Sequence, residues 1–567
     1  MLRRLGALLA GTTLAAWPFA SNAAGGTDAF ADVQHIVVIY EENHSFDNLY
    51  GGWEGVNGLT SAPAARTFQI SEGGVAYTCL LQNDVNLASP PQPVSCTDST
   101  STSKTINSNF SNAPFTIDSF IPSTATTCPA PGVFAAHGVL NGAGKPGGCT
   151  EDIVHRFYQE QYQLNGGAQN RYVTGSDAVG LTMGVYDTRS LPIYAYLHQD
   201  GHPHYAIADN FFQAAFGGSF LNHQWLVAAR TPVWPNALND GSSLDLHSVV
   251  DANGMPNNYP LYTSLSAVKD QALTASCSPG PGRGPTPPGV VCGDYAVNTI
   301  QPAFQPYAPG TVLAKRLPPQ MAPTIGDRLS GAGIDWAWYS GGWSNANGDV
   351  GAPGWTNGST VGTCTDPNTL ATATYPNCPD KLFQFHHQAL NYFASFAPGT
   401  AARAAHLRDE AEFLSVAKGL GTQCNLKPVS FVKPIGEENE HPGYTSETNG
   451  SNHLVSLLSA IESGACAKNT MVVVTYDEFG GQWDHVTPPG QGGKAGVHDG
   501  FGPGTRIPAL VITTHLHGDF VVDDTAYDTT SILATIERRF ALEPLSSRDA
   551  SVNDLTGVYS AFAPRLD

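Results

Sequence analysis

Two short stretches at opposite ends of this chain constrain it more than anything else in it. Residues 35–47 read HIVVIYEENHSFD and residues 470–484 read TMVVVTYDEFGGQWD. Each begins with a nearly continuous apolar run rich in β-branched residues, the pattern of a strand buried on both faces of a sheet. Each then turns polar within a residue: Glu41-Glu42-Asn43-His44 in the first, and Asp477-Glu478 before Gly480-Gly481 in the second. In open α/β sheets, ligands bind just outside the carboxyl ends of strands. Carboxylate and amide oxygens at that place suit a hard divalent cation. Asp and Asn are also common helix N-caps in βα loops, so neither stretch decides alone. Two matching strand ends, together with the histidines below, favour one metal site built from Glu42, Asn43, Asp477 and Glu478.

The rest of the chain supplies the elements such a sheet needs. Further strands are expected near 334–343, 428–434 and 507–513, with helices near 150–165, 451–461 and 528–540 and a short one at 45–50. Strands alternating with helices indicate α/β: a mostly parallel β-sheet sandwiched by helices. An apolar approach over 205–212 leads through Ala214-Ala215-Phe216-Gly217-Gly218 into FLNHQWLVAAR, which has helical spacing. Ser219 therefore falls at a helix N-terminus, where free N–H groups and the helix dipole favour a phosphoryl group. Serine is also a favoured N-cap, and only the surrounding constellation tips the reading toward chemistry. The expected 150–165 helix carries His155. The aromatic stretch FQFHHQALNYF carries the adjacent pair His386-His387, and the loop GEENEHPGY carries His441.

No internal repeat or linker divides the chain, so 24–567 reads as one domain with insertions at about 55–150, 270–310 and 343–380. Sixty glycines and forty-one prolines fit long ordered loops, and 10% aromatic content argues against a disordered chain. The formal charge of -21, without a basic cluster, argues against nucleic acid as a partner and against charge-driven binding to anionic membranes. Arg3-Arg4, an apolar stretch over 5–20 and Ser21-Asn22-Ala23 read as a signal peptide of residues 1–23, too short to span a membrane stably. Export to the periplasm or the medium makes disulfides the default for the ten cysteines. No CxxC pair is present, and pairing of sequential neighbours is expected: Cys79–Cys96, Cys128–Cys149, Cys277–Cys292, Cys364–Cys378 and Cys424–Cys466.

Four oxygen ligands, a serine at a helix start and several histidines are the parts that phosphoryl transfer needs. A metal screens phosphate charge, a serine attacks, and a histidine protonates the departing alkoxide. The segments ENHSFDNLYG, GGSFLNH, FQFHHQALNYF, NEHPGY, YDEFGGQWDHVTPP and FGPGTRIPALVI occur in that order. With them the chain resembles the bacterial acid phosphatase/phospholipase C phosphoesterase family, from about residue 33 to residue 545. FQFHH and EHPGY resemble its acid-phosphatase branch in particular.

The resemblance implies an alkaline-phosphatase-like α/β/α fold. It also implies that Glu42, Asn43, Asp477 and Glu478 hold a divalent metal, with Ser219 the nucleophile and a further metal contact. His155, His386, His387 and His441 would hold phosphoryl oxygens or protonate the leaving group, with His441 or His386 preferred as general acid. Asn222 matches a polar position of the motif without a defined role, and Asp484-His485 is expected behind the ligands. Oxygen ligands suit calcium, magnesium, manganese or iron better than zinc. The phospholipase branch usually has Gly-Pro-Thr where this chain has Gly-Gly-Ser, and its larger members carry C-terminal β domains for which no sequence remains here. The leading expectation is thus an exported metal-dependent acid phosphatase acting on small phosphate monoesters through a phosphoserine. The alternative is a phospholipase C cleaving phosphodiester head groups, and a lesser one a secreted binding protein stabilised by its metal.

Overall fold

The computed structural model describes residues 29–82, 93–101, 104–122, 124–129, 147–233, 249–255, 258–265, 268–269, 274–275, 293–294, 317–358, 361–419 and 423–564. An eight-stranded sheet carries the fold. Its strands in chain order are β1 (His35–Glu41), β2 (Tyr205–Phe212), β3 (Trp336–Ser340), β4 (Leu407–Asp409), β5 (Val429–Lys433), β6 (Thr470–Tyr476), β7 (Ala509–Ile512) and β8 (Phe520–Asp528). Across the sheet they run β4-β3-β5-β1-β6-β7-β2-β8. Neighbours are parallel except where β7 meets β6 and β2. The expected mostly parallel α/β architecture is therefore present, and the apolar run near 507–513 is its one reversed strand.

The register of the central strands builds the site. β1 and β6 pair residue for residue, from His35 opposite Thr470 to Glu41 opposite Tyr476. Glu42 and Asp477 are the next residues on each, so they leave the sheet side by side. On the other side of β1, Ile39 lies opposite Val432 of β5, which brings Lys433 level with Tyr40. β5 and β6 are buried throughout and β1 at all but its first residue, as their β-branched runs require. Helices α1 (Phe157–Leu164), α2 (Ser219–Ala228), α3 (Glu410–Lys418), α4 (Glu447–Glu462) and α5 (Thr530–Phe540) help to cover the sheet. Ser446 caps α4 with its side chain on the Asn449 N–H, which starts that helix four residues ahead of the apolar pattern that signals it.

Three departures from the sequence reading have physical causes. The helix expected from residue 150 begins only at Phe157, and 150–156 runs extended with alternating burial. The Asp177 carboxylate takes the Val154 N–H at 3.1 Å. Gly481, at a φ of 75°, lies so close beneath that a Cβ there would meet Ile153 at 2.5 Å. Tertiary contacts thus claim backbone that local propensity would have wound up, and His155 sits on an extended segment, not on a helix. FQFHHQALNYF forms two short 3-10 turns, Phe385–His387 and Ala389–Tyr392. The edge strand β8, FVVDDTAYD, escapes pattern reading because its acids interrupt the alternation and its register slips between Asp523 and Ala526.

Disulfides Cys79–Cys96, Cys128–Cys149, Cys364–Cys378 and Cys424–Cys466 join sequential neighbours as expected. The expected Cys277–Cys292 bridge and the signal segment 1–23 lie outside the described residues. Among the described residues no helix is long and apolar enough to cross a membrane.

Candidate active site

Ser219 is the first residue of α2, and the turn before it is tightly held. Gly217 takes a φ of 90°, which only glycine adopts freely, and Gly218 is extended at the cap position. Glu160 of α1, fully buried, accepts the Gly217 N–H, the Gln213 side-chain amide, and both the N–H and hydroxyl of Thr505. Burial pushes its carboxyl up to about 7, while all four of these bonds need its oxygens as acceptors. Gln213 in turn accepts the Phe479 N–H at 3.0 Å. The serine turn is thereby tied to the Asp477-Glu478 strand end. Neither Glu160 nor Gln213 stands out in the sequence: Glu160 lies in the polar run Gln159-Glu160-Gln161, and Gln213 is a single amide between phenylalanine and alanine.

At the sheet edge the oxygens converge. Ser219 Oγ lies 3.3 Å from Glu42 Oε2, 3.3 Å from Glu478 Oε1 and 3.4 Å from Asn43 Oδ1. Asn43 adopts a left-handed φ of 60° and donates its backbone N–H to Asp477 Oδ1 at 3.1 Å, which locks the fourth member in place. Glu42, Asp477 and Glu478 are fully buried. Burial, reinforced for Glu42 and Glu478 by the charge of Asp477, pushes their carboxyls above the ordinary range; burial alone does so for Asp477.

The orientation of the Asn43 amide tests whether this set fits a cation. Its Nδ2 lies 3.0 Å from His441 Nε2, and His441 Nδ1 donates to the Pro442 carbonyl at 2.7 Å. A neutral imidazole that donates from Nδ1 must accept at Nε2, so the amide nitrogen belongs there. The amide oxygen then faces the oxygens of Glu42, Asp477 and Glu478, with the Ser219 hydroxyl at 3.4 Å beside it. Turning the amide over would satisfy those oxygens but would need a charged His441, and burial holds that ring well below its ordinary value. Asp477 Oδ2 has no hydrogen-bond partner among the described residues. Three carboxylates face one buried ammonium, that of Lys433, which contacts Glu42 Oε1 closely. Two uncompensated negative charges and a converging amide oxygen are what one divalent ion would complete, so Glu42, Asn43, Asp477 and Glu478 could hold it.

The structure brings all four expected histidines to this end of the sheet, in different settings. His155 Nε2 is 3.1 Å from Glu478 Oε1 while its Nδ1 bonds the Ile153 carbonyl. His387 Nε2 is 3.2 Å from Glu42 Oε1. His386 packs edge-on against His387, and its Nδ1 has no hydrogen-bond partner among the described residues. Burial holds His155 down to about 4 and His386 to about 3. His441 faces the Asn43 amide through Nε2 and packs on Tyr444. Asn222 is structural: its amide accepts the Ala215 N–H and donates to the Ala215 carbonyl, closing the serine turn.

Two participants were not singled out from the sequence. Lys433 ends the apolar strand VSFVK and also donates to the Tyr40 carbonyl at 2.9 Å. A lysine closing a buried strand was the available signal. His223 lies four residues after Ser219, on the same helix face. Its Nδ1 donates to the Ser219 carbonyl at 2.8 Å, and its ring stacks parallel on His387 at 4.9 Å. Asp484 and His485 fall behind the site as expected, in a network with Asp47, Asp209 and Arg506.

Phospholipase C A of Mycobacterium tuberculosis is 23% identical over 561 residues, covering 94% of this chain and 78% of that protein. Phospholipase C B of the same organism is 32% identical over 160 residues, 24% of this chain and 30% of that one. Non-specific phospholipase C6 of Arabidopsis thaliana is 28% identical over 214 residues, 34% of this chain and 39% of that protein. The sequence pattern of the Phosphoesterase family matches residues 33–129 and 135–543. The chain therefore belongs to the Phosphoesterase family and is a hydrolase of phosphoric ester bonds.

Proposed function

We propose that this hydrolase cleaves phosphodiesters in the manner of a phospholipase C, with Ser219 as nucleophile and Glu42, Asn43, Asp477 and Glu478 holding one divalent ion. The observation that carries the reading is the convergence of Ser219 Oγ with oxygens of Glu42, Asn43 and Glu478 at the start of a buried helix. The names of the curated relatives favour the diester over the monoester. When bound, the ion would offset phosphoryl charge and favour the serine alkoxide.

The chain's own residues do the rest. Ser219 Oγ bonds to phosphorus as the bond to the leaving alkoxide breaks. The serine proton has acceptors in Glu42 Oε2 and Glu478 Oε1, each 3.3 Å away. The first N–H groups of α2 face the phosphoryl oxygens. His386, whose Nδ1 is unengaged, protonates the alkoxide; the phosphoryl anion supplies the charge that lets this ring keep a proton against burial. Water then attacks phosphorus, the Oγ–P bond breaks, and the phosphorylated head group leaves with the serine restored. Rings held neutral until acid or anion charges them lead to an acidic optimum. Donors that are nearly all oxygen point to calcium, magnesium, manganese or iron before zinc. Four disulfides fit export to an oxidising compartment, periplasmic or extracellular.

One observation favours the monoester instead. Ser219 is only 3% exposed, which suits a small phosphate on a slender stem. Hydrolysis of para-nitrophenyl phosphorylcholine and para-nitrophenyl phosphate, each with and without chelator at acidic and neutral pH, separates the readings. Chelator-sensitive cleavage that prefers the diester is expected. Preference for the monoester would move the assignment to acid phosphatase with the same nucleophile. Full activity after exhaustive chelation would overturn the metal reading.

A further inference from the structure

Beside the oxygen set lies a second group of metal-ligating atoms that the mechanism above does not use. The ligand atoms of Glu42, His223 and His387 all lie within 4.8 Å of one another, and all three residues are buried. Glu42 turns Oε2 toward Ser219 and Oε1 away from it, toward the two rings. His387 Nε2 is 3.2 Å and His223 Nε2 3.8 Å from Oε1. Ligands about 2.0–2.1 Å from a tetrahedral ion stand roughly 3.3 Å apart. Neither Nε2 has a hydrogen-bond partner among the described residues. His223 donates from Nδ1 to the Ser219 carbonyl, so in its neutral form Nε2 is a bare lone pair aimed at a carboxylate. The bare lone pair of His223, the unpartnered Nε2 of His387 and one carboxylate oxygen, gathered around a single point, form a cation site. Two His and one Glu is a zinc ligand set.

The ammonium of Lys433 already stands on that oxygen. Its Nζ contacts Glu42 Oε1 and is anchored by the Tyr40 carbonyl at 2.9 Å. We infer that Glu42, His223 and His387 form a second divalent-cation position beside the first, and that Lys433 fills it with a built-in positive charge. The wild-type chain then takes one metal ion where its ligands are laid out for two. The inference rests on the oxygen-site reading only for the identity of the neighbouring ion. Its own content is the difference that Lys433 makes.

The test is metal content by elemental analysis after equilibration with excess zinc and gel filtration, on the full chain and on Lys433→Met, which keeps the side chain's length without its charge. Lys433→Met is expected to hold one more zinc ion per chain than wild type, and Lys433→Met/His387→Ala to lose that extra ion. Equal counts in wild type and Lys433→Met would overturn the inference. The wild-type count by itself reports on the oxygen site, so zero there with one in Lys433→Met would refute that site and support this one. A Lys433→Met chain that does not fold leaves a second measurement. His223→Ala and His387→Ala in the wild-type background are expected to keep the full wild-type zinc count, because lysine, not metal, occupies the position. Loss of an ion from either would overturn the inference.

Discussion

Two buried acidic clusters lie at the same edge of this sheet, and they are built on opposite principles. Each has three carboxylates: Glu42, Asp477 and Glu478 in one, Asp47, Asp209 and Asp484 in the other. In the second, Arg506 reaches all three at 3.1 Å, and His485 closes on Asp47 at 2.6 Å. Guanidinium presents a rigid fork of donors, so one side chain can compensate several carboxylates. The cluster is closed in hydrogen bonding, since every carboxylate oxygen of Asp47, Asp209 and Asp484 accepts at least one donor. The first cluster has one ammonium at its side, leaves Asp477 Oδ2 without a hydrogen-bond partner among the described residues, and holds the Asn43 amide oxygen among carboxylate oxygens. Buried polar groups are normally satisfied internally, and an exception points to a partner from outside. The difference teaches where chemistry ends and scaffold begins among residues that look alike in sequence.

The largest effect tests what the open cluster is for. Ser219→Ala should lower turnover by on the order of 10⁴-fold or more, as removal of the proposed nucleophile requires. The fold should survive, because the hydroxyl's three contacts are all long. Circular dichroism with a phosphoester assay checks both, and near-normal turnover would remove the serine from the mechanism.

The next pair of variants sets the clusters against each other. Arg506→Met strands three buried carboxylates and should cost roughly 3–5 kcal/mol of stability. Asp477→Asn removes one of three mutually repelling charges, so with chelator present it should unfold no more easily than wild type while losing most activity when metal is restored. Denaturant titrations with and without chelator decide the matter. A large destabilisation by Asp477→Asn in the metal-free protein would erase the distinction drawn here.

A smaller effect concerns Glu160, which accepts four donors around the serine turn. Glu160→Gln replaces one acceptor with an amide that faces donors. The expected loss is about 10- to 100-fold in kcat with little change in KM, since an orienting group is lost and no substrate contact is. A change confined to KM would argue that Glu160 is not a positioning residue for Ser219.

The last effect is a pH dependence at a third, half-open site between α3 and α4. Burial works against a charge on His453, and the carboxylates of Glu410 at 2.7 Å, Glu438 at 3.8 Å and Glu41 together more than offset it, raising the imidazole to about 9. A folded value above the unfolded 6.5 means that the pair's contribution is fully present below pH 6.5 and lost as pH rises through about 9. The stability gap between wild type and His453→Gln, on the order of 2–3 kcal/mol at pH 6 by that linkage, should therefore close in alkali. A gap that persists to pH 10 would mean that packing, not charge, holds the pair.

Much of this protein follows from local pattern. The β-branched runs of β1 and β6 must be buried strands whatever surrounds them, because so many apolar side chains in a row leave no face for water. An abrupt run of acids must then lie at their ends, which made Glu42, Asn43, Asp477 and Glu478 legible as a set. Ser219 was legible because glycines before a helical run fix where the helix begins. Disulfide pairing among the described cysteines followed chain order.

Tertiary structure alone decided the rest, since it turns on which groups meet across long loops. Register placed Lys433 against Glu42 and made the open cluster two charges short, not three. Asp177 and Gly481 kept 150–156 extended, so that His155 meets Glu478 off a strand-like segment. The Pro442 carbonyl fixed the His441 tautomer and with it the direction of the Asn43 amide. Closed and open clusters carry the same residue types, and charge compensation is a property of distances that no one-dimensional pattern contains.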